Sequence, residues 1–115
     1  MKLQFKLHRG AYVYSSLNTN LFSEDEILFS FKEKEGNTFL VLEAIAKNYN
    51  VSYNQLWALI SVENITSLSA TGITAHISGV LSQENIPCNM IAAFHHDYLL
   101  VPLESAEKAM SVLSK

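Results

Sequence analysis

The stretch Thr71-Gly72-Ile73-Thr74-Ala75-His76-Ile77-Ser78-Gly79-Val80-Leu81-Ser82-Gln83-Glu84-Asn85-Ile86-Pro87 decides the fold. Ile73, Ile77, Val80 and Leu81 fall at i, i+4, i+7 and i+8, which is the apolar stripe of an amphipathic helix. Thr71 is a side chain suited to cap its start. Asn85 tolerates the left-handed turn that stops a helix, and Pro87 forbids continuation. Before this helix, Leu56–Val62 is a run of apolar and β-forming residues and reads as a strand. After it, 89–94 and 98–101 read as two strands joined by His95-His96-Asp97. Pro102 then opens a last helix, with Leu103, Ala106, Met110 and Leu113 on its inner face. The order is β-α-β-β-α. Each helix has one apolar stripe, so both cover one face of a mainly antiparallel sheet. The expected fold class is α+β and ferredoxin-like, with a fourth strand supplied by the N-terminal half.

That half is strand-rich. Leu3, Phe5 and Leu7 alternate with Gln4 and Lys6, as in an extended segment. Arg9-Gly10 reads as a turn, 11–15 as a second strand and 16–26 as a polar loop. The third strand, 27–32, places Ile27, Phe29 and Phe31 on one face. A turn at 34–37 leads to a fourth strand over 38–42 and a short helix over 43–49. A soft boundary at 51–54 divides the chain into 1–54 and 55–115. The first part reads as a degenerate copy of the second that lacks its first helix.

Composition agrees with a folded unit. Of 115 residues, 49% are hydrophobic and 17% charged, enough apolar material for a core and too little charge for disorder. A net charge of −3 and scattered lysines leave no basic surplus for nucleic acid. No apolar run approaches the roughly 20 residues of a membrane span. The single cysteine, Cys88, forms no internal disulfide and no thiolate zinc cage. The expected location is cytoplasmic.

The segments 67–75 and 93–102, together with Phe31-Lys32-Glu33-Lys34-Glu35-Gly36-Asn37-Thr38, resemble the small bacterial ACT-domain proteins in order and spacing. Those proteins are similar to the regulatory regions of aspartate kinases and to cytosolic arginine sensors. The resemblance implies two fused ACT-like units, regulatory amino-acid binding where such units or subunits meet, and no catalysis. It departs at Asn85, where the family usually carries glycine, and at Asn37.

The candidate ligand contacts are Ser67, Leu68, Ser69, Ala70, Thr71 and Gly72, with Ile91 on the following strand. The N–H groups at a helix start have no internal acceptor and favour a carboxylate. Gly72 permits close approach, and Ser67, Ser69 and Thr71 supply hydroxyls. A structural reading stands beside this one, with Thr71 only a cap and Gly72 only a packing glycine. Asn37 and Thr38 are candidate interface residues.

No metal or cofactor is expected. His95 and His96 are adjacent on an extended chain, so their side chains diverge and do not share an ion. The simpler reading of His95-His96-Asp97 is a hairpin turn held by the aspartate. Cys88 reads as a small core residue. No phosphate loop, catalytic triad motif or carboxylate pair is present. Two functions remain, an amino-acid sensor and a ligand-free assembly module. A homodimer is expected because 91–94 and 99–101 are apolar on both faces of their strands.

Overall fold

A computed structural model of the chain describes residues 3–64 and 71–115. The chain divides into two compact units, Met1–Arg9 with Trp57–Lys115, and Gly10–Leu56.

The first unit contains strands β1 (Phe5–Leu7), β5 (Trp57–Val62), β6 (Asn89–Ala92) and β7 (Asp97–Pro102). Helices α2 (Ile73–Gln83) and α3 (Ala106–Leu113) accompany them. All pairings are antiparallel, in the order β1-β5-β7-β6. The fourth strand expected from the N-terminal half is β1, whose Phe5 lies opposite Val62. This is the ferredoxin-like arrangement that the β-α-β-β-α order predicts.

Alternation along β5 and β7 assigns the two faces. Ala58, Ile60, Val62, Leu99 and Val101 pack with Ile77 and Leu81 of α2 and with Ala106, Ala109 and Leu113 of α3. Burying a side chain such as Leu81 contributes about 1.5–3 kcal/mol. Leu59, Ser61 and Leu100 point to the other face and are also buried. The strands are therefore apolar through both faces, as the run 99–101 predicts. The run 91–94 behaves differently. β6 ends at Ala92, and Phe94 stands in the turn with 72% exposure. The turn is closed by the Ala93 N–H donating to the His96 carbonyl at 3.1 Å, and Asp97 already belongs to β7. On α3 the inner face is Ala106, Ala109 and Leu113. Leu103, expected there, precedes the helix in a 3-10 turn and is exposed.

The second unit contains β2 (Tyr12–Leu17), β3 (Phe29–Lys32), β4 (Asn37–Leu42) and α1 (Glu43–Asn48). The strand order is β3-β4-β2, again antiparallel. Its core is Val13, Phe22, Phe39, Val41, Ala46 and Val51. The polar segment 16–26 is more than a loop. It holds a 3-10 turn at Glu24–Glu26 and inserts Phe22 edge-on against Phe39 and Tyr49, with centroids 5.5 and 5.1 Å away. Tyr49 Oη donates to Glu26 Oε1 at 2.7 Å, tying that turn to the residue that ends α1. Phe31, placed on one strand face with Ile27 and Phe29, is 61% exposed.

Candidate functional site

The site grows from the start of α2. Thr71 was the expected cap, but the N-cap is Gly72, at φ 80° and ψ −8°, with no side-chain capping bond. A left-handed backbone at that point suits glycine and strains any other residue, which is why the cap falls there. The His76 N–H donates to the Gly72 carbonyl at 2.9 Å. The N–H groups of Ile73, Thr74 and Ala75 precede that first helical bond and have no acceptor within the helix. No acidic residue lies in the first turn.

A pocket of about 480 Å³ opens at this helix start. Thr71 and Gly72 line it from just before α2, Ile73 and His76 from its first turn, Leu3 from the segment before β1, and Leu113 and Lys115 from the end of α3 and the residues after it. A Cβ built on Gly72 meets nothing within 4 Å among the described residues. Among the described residues, nothing packs against Gly72. The site combines helix-start donors that have no acceptor within the helix, a side-chain ammonium from Lys115 and apolar walls from Leu3, Ile73 and Leu113. That set suits a small molecule with a carboxylate and an apolar part.

The other predicted residues lie elsewhere. Ser67, Leu68, Ser69 and Ala70 are outside the described residues. Ile91 is half-buried on β6 opposite Tyr98 and does not line this pocket. Asn37 and Thr38 open β4 in the second unit, opposite Leu17 and Ser16 of β2. The Thr38 hydroxyl donates to Glu33 Oε1.

A polar group that the sequence reading missed lies on β1 and β5. Ser61, 1% exposed, donates to Glu63 Oε2 at 2.5 Å. His8 Nε2 lies 2.9 Å from the same Ser61 oxygen. With the serine proton given to the carboxylate, His8 Nε2 carries a hydrogen and donates it to Ser61. In this orientation His8 is a donor and not the serine's base, and the carboxylate that accepts the serine proton is a weak base, so the arrangement is not that of an activated nucleophile. The Ser61 hydrogen bond holds the Glu63 carboxyl below its ordinary range, with Lys6, His96 and His8 adding to the effect against partial burial. Burial and Lys6 lower the His8 imidazole, opposed by Glu63. The i, i+2 spacing of Ser61 and Glu63 was visible on one strand face. The approach of His8 was not, because it depends on β1 pairing with β5.

Cys88 is half-buried, and burial pushes its thiol up, away from nucleophilic character. Among the described residues no three His, Cys, Asp or Glu side chains gather as metal ligands. No helix among them is long and apolar enough to cross a membrane.

Comparison with known proteins agrees with this architecture. One ACT-domain family model matches residues 52–115 and a second matches residues 1–58. The chain belongs to the ACT-domain family. It is similar over 99% of its length to a Vibrio cholerae protein of unknown function, VC0802, described as a possible transport protein, with 28% identity, TM-score 0.86 and 91% of that chain covered. It is also similar to the Agrobacterium tumefaciens protein Atu0741, with 17% identity, TM-score 0.80, and 99% and 88% of the two chains covered. Escherichia coli aspartokinase III, solved with aspartate and ADP, shares the fold at 15% identity and TM-score 0.66. There 95% of this chain covers 32% of the kinase. No curated protein matches the sequence.

Proposed function

We propose that this ACT-domain protein is a cytosolic, non-catalytic regulatory sensor that binds a free amino acid at the start of α2. The ligand carboxylate lies against the N–H groups of Ile73–Ala75 with Lys115 as its counter-charge. Its side chain rests against Leu3, Ile73 and Leu113. The observation that carries this reading is Gly72. It takes a backbone conformation suited to glycine, lines the pocket, and among the described residues leaves open space where a side chain would stand. Membership of the ACT family supports regulation over catalysis.

Thermal-shift measurements with the common amino acids test it. A ligand that binds only the native state adds about 2.7 kcal/mol of stability at a hundred times its Kd. The expected result is a rise in Tm with one or a few amino acids and none with their carboxamides. No rise with any amino acid overturns the reading.

One observation favours assembly. Phe94 at 72% exposure and Phe31 at 61% are large aromatic surfaces left in water, which suits contact with another subunit. We therefore read the sensor as a homodimer. If no amino acid binds, a pure assembly module is the function that remains.

A further inference from the structure

Strand β6 is paired on one side only among the described residues, with β7. The Ala93 N–H donates to the His96 carbonyl, which sets the alternation of the ladder. Asn89 and Ile91 therefore turn their backbone groups toward β7, and Met90 and Ala92 turn theirs outward. Open edges are ordinarily guarded by lysine, proline or a bulge. The strand reads Asn-Met-Ile-Ala, and its register with β7 is unbroken, so it carries none of the three.

The two ends of β6 differ. Phe94, 72% exposed, stands just beyond its end. Just before its start lies a pocket of about 430 Å³, lined by Ser78 and Ser82 of α2 and by residues 85–88. No charged side chain is in that lining. Helix α3 packs on β1 and β7, which leaves α2 on the β6 side of the sheet and puts this pocket beside the open edge. An apolar knob thus follows the strand and a neutral hollow precedes it. A twofold axis exchanges the two ends, so the edge is complementary to itself.

We propose that β6 pairs antiparallel with β6 of a second copy, Ile91 opposite the partner's Ile91, bringing each Phe94 to the pocket beside the partner's Cys88. The proposal rests on the homodimer read above and names the edge that forms it. Residues opposite one another on antiparallel strands share a face, so the axis passes through a residue and not between two. At Ile91 it sets Met90 against the partner's Ala92, which satisfies the outward groups of both strands within β6. At Met90 it would set Ala92 against the partner's Cys88, outside the strand.

Oxidation of Ile91→Cys in a Cys88→Ser background tests the register. Opposed residues of a pair that is not hydrogen-bonded have Cα atoms about 4.5 Å apart, within disulfide reach. A covalent dimer on a non-reducing gel is expected, and none from Phe31→Cys on β3 in the same background. Ala92→Pro removes an N–H that no bond to β7 uses, so it should keep the far-UV circular dichroism while light scattering falls to 12.9 kDa. A dimer mass in the unaltered chain without the Ile91 cross-link, or one that Ala92→Pro leaves intact, overturns this edge and leaves the homodimer standing. Equal cross-linking of the Phe31 variant marks random collision and overturns it too. A monomer mass in the unaltered chain removes both readings.

Discussion

His8 Nε2 lies 2.9 Å from Ser61 Oγ, across the pairing of β1 with β5 and 53 residues away in sequence. The hydrogen bond from Ser61 to Glu63 completes the line. Both titrating ends are shifted down, His8 by burial and Glu63 by the serine. A lowered pKa in the folded state means that the unfolded chain binds more protons, so stability falls as pH falls. For His8 the contribution is present above about pH 6.5, its unfolded value, and is lost as pH drops through the lower folded value. For Glu63 the loss begins near pH 4.5, the unfolded value, and continues below it. Urea unfolding should show one decline that begins near pH 6.5 and a second that begins near pH 4.5. His8→Gln keeps a donor near Nε2 without titrating, and should remove the first decline alone. An unchanged profile in that variant would refute the assignment.

Leu81→Ala should destabilise the protein by about 2–5 kcal/mol. Leu81 has no exposed surface and joins α2 to the core built on β5, β7 and α3. Denaturant midpoints at constant slope measure this. A cost below 1 kcal/mol would mean that α2 does not close over the sheet as described.

Phe22→Ala should cost about 3–5 kcal/mol although Phe22 lies between elements in a polar segment. Its ring is 6% exposed and touches Phe39 and Tyr49 edge-on. Equilibrium unfolding decides the matter, and a neutral result would show that the segment does not seal the second core.

Gly72→Ala should cost about 1–3 kcal/mol from the strained left-handed backbone, since no neighbouring atom among the described residues obstructs the added methyl. The same change should weaken amino-acid binding by narrowing the approach to the N–H groups of Ile73–Ala75. Lys115→Gln, by contrast, should weaken binding while leaving the unliganded Tm nearly unchanged. Equal loss of Tm in both variants would separate the glycine from any ligand role.

Light scattering should give twice the monomer mass, which is 12.9 kDa. Phe94→Ser should shift the mass toward the monomer, because it removes the most exposed large apolar side chain described. A single 12.9 kDa species at every concentration would remove the homodimer from the proposal.

The periodicity of Ile73, Ile77, Val80 and Leu81 was enough to find α2, because an amphipathic stripe is a local property. Of these, Ile77 and Leu81 are fully buried. The left-handed stop at Asn85 was equally local, and its φ is 58°. The cap was misread, since a threonine beside a glycine favours the hydroxyl by statistics and only the backbone angle reveals the glycine. Phe22 is a lone aromatic among polar neighbours and carries no period. Phe94 sits in an apolar run of the kind that is buried, but its exposure depends on where the strand stops. The His8–Ser61–Glu63 line required a pairing between segments more than 50 residues apart. No short-range pattern encodes such a pairing. Of the pocket at α2, the sequence disclosed Thr71 and Gly72, while Leu3, Leu113 and Lys115 arrive through the fold.

The pairing of Phe5 with Val62 bears on synthesis. Chains emerge from the ribosome N-terminus first, and domains tend to fold as units while this happens. The three residues of β1 are made early, yet their partner β5 is the work of the chain's second half. The segment Gly10–Leu56 can therefore collapse first, with β1 left over as an unpaired leader. Closing the loop from Phe5 to Val62 must then wait for a distant contact, which slows folding. Removing the first nine residues would leave Ile60–Val62 of β5 without their β1 partner, so a shortened chain should be more prone to associate through that stretch than to remain a smaller version of itself.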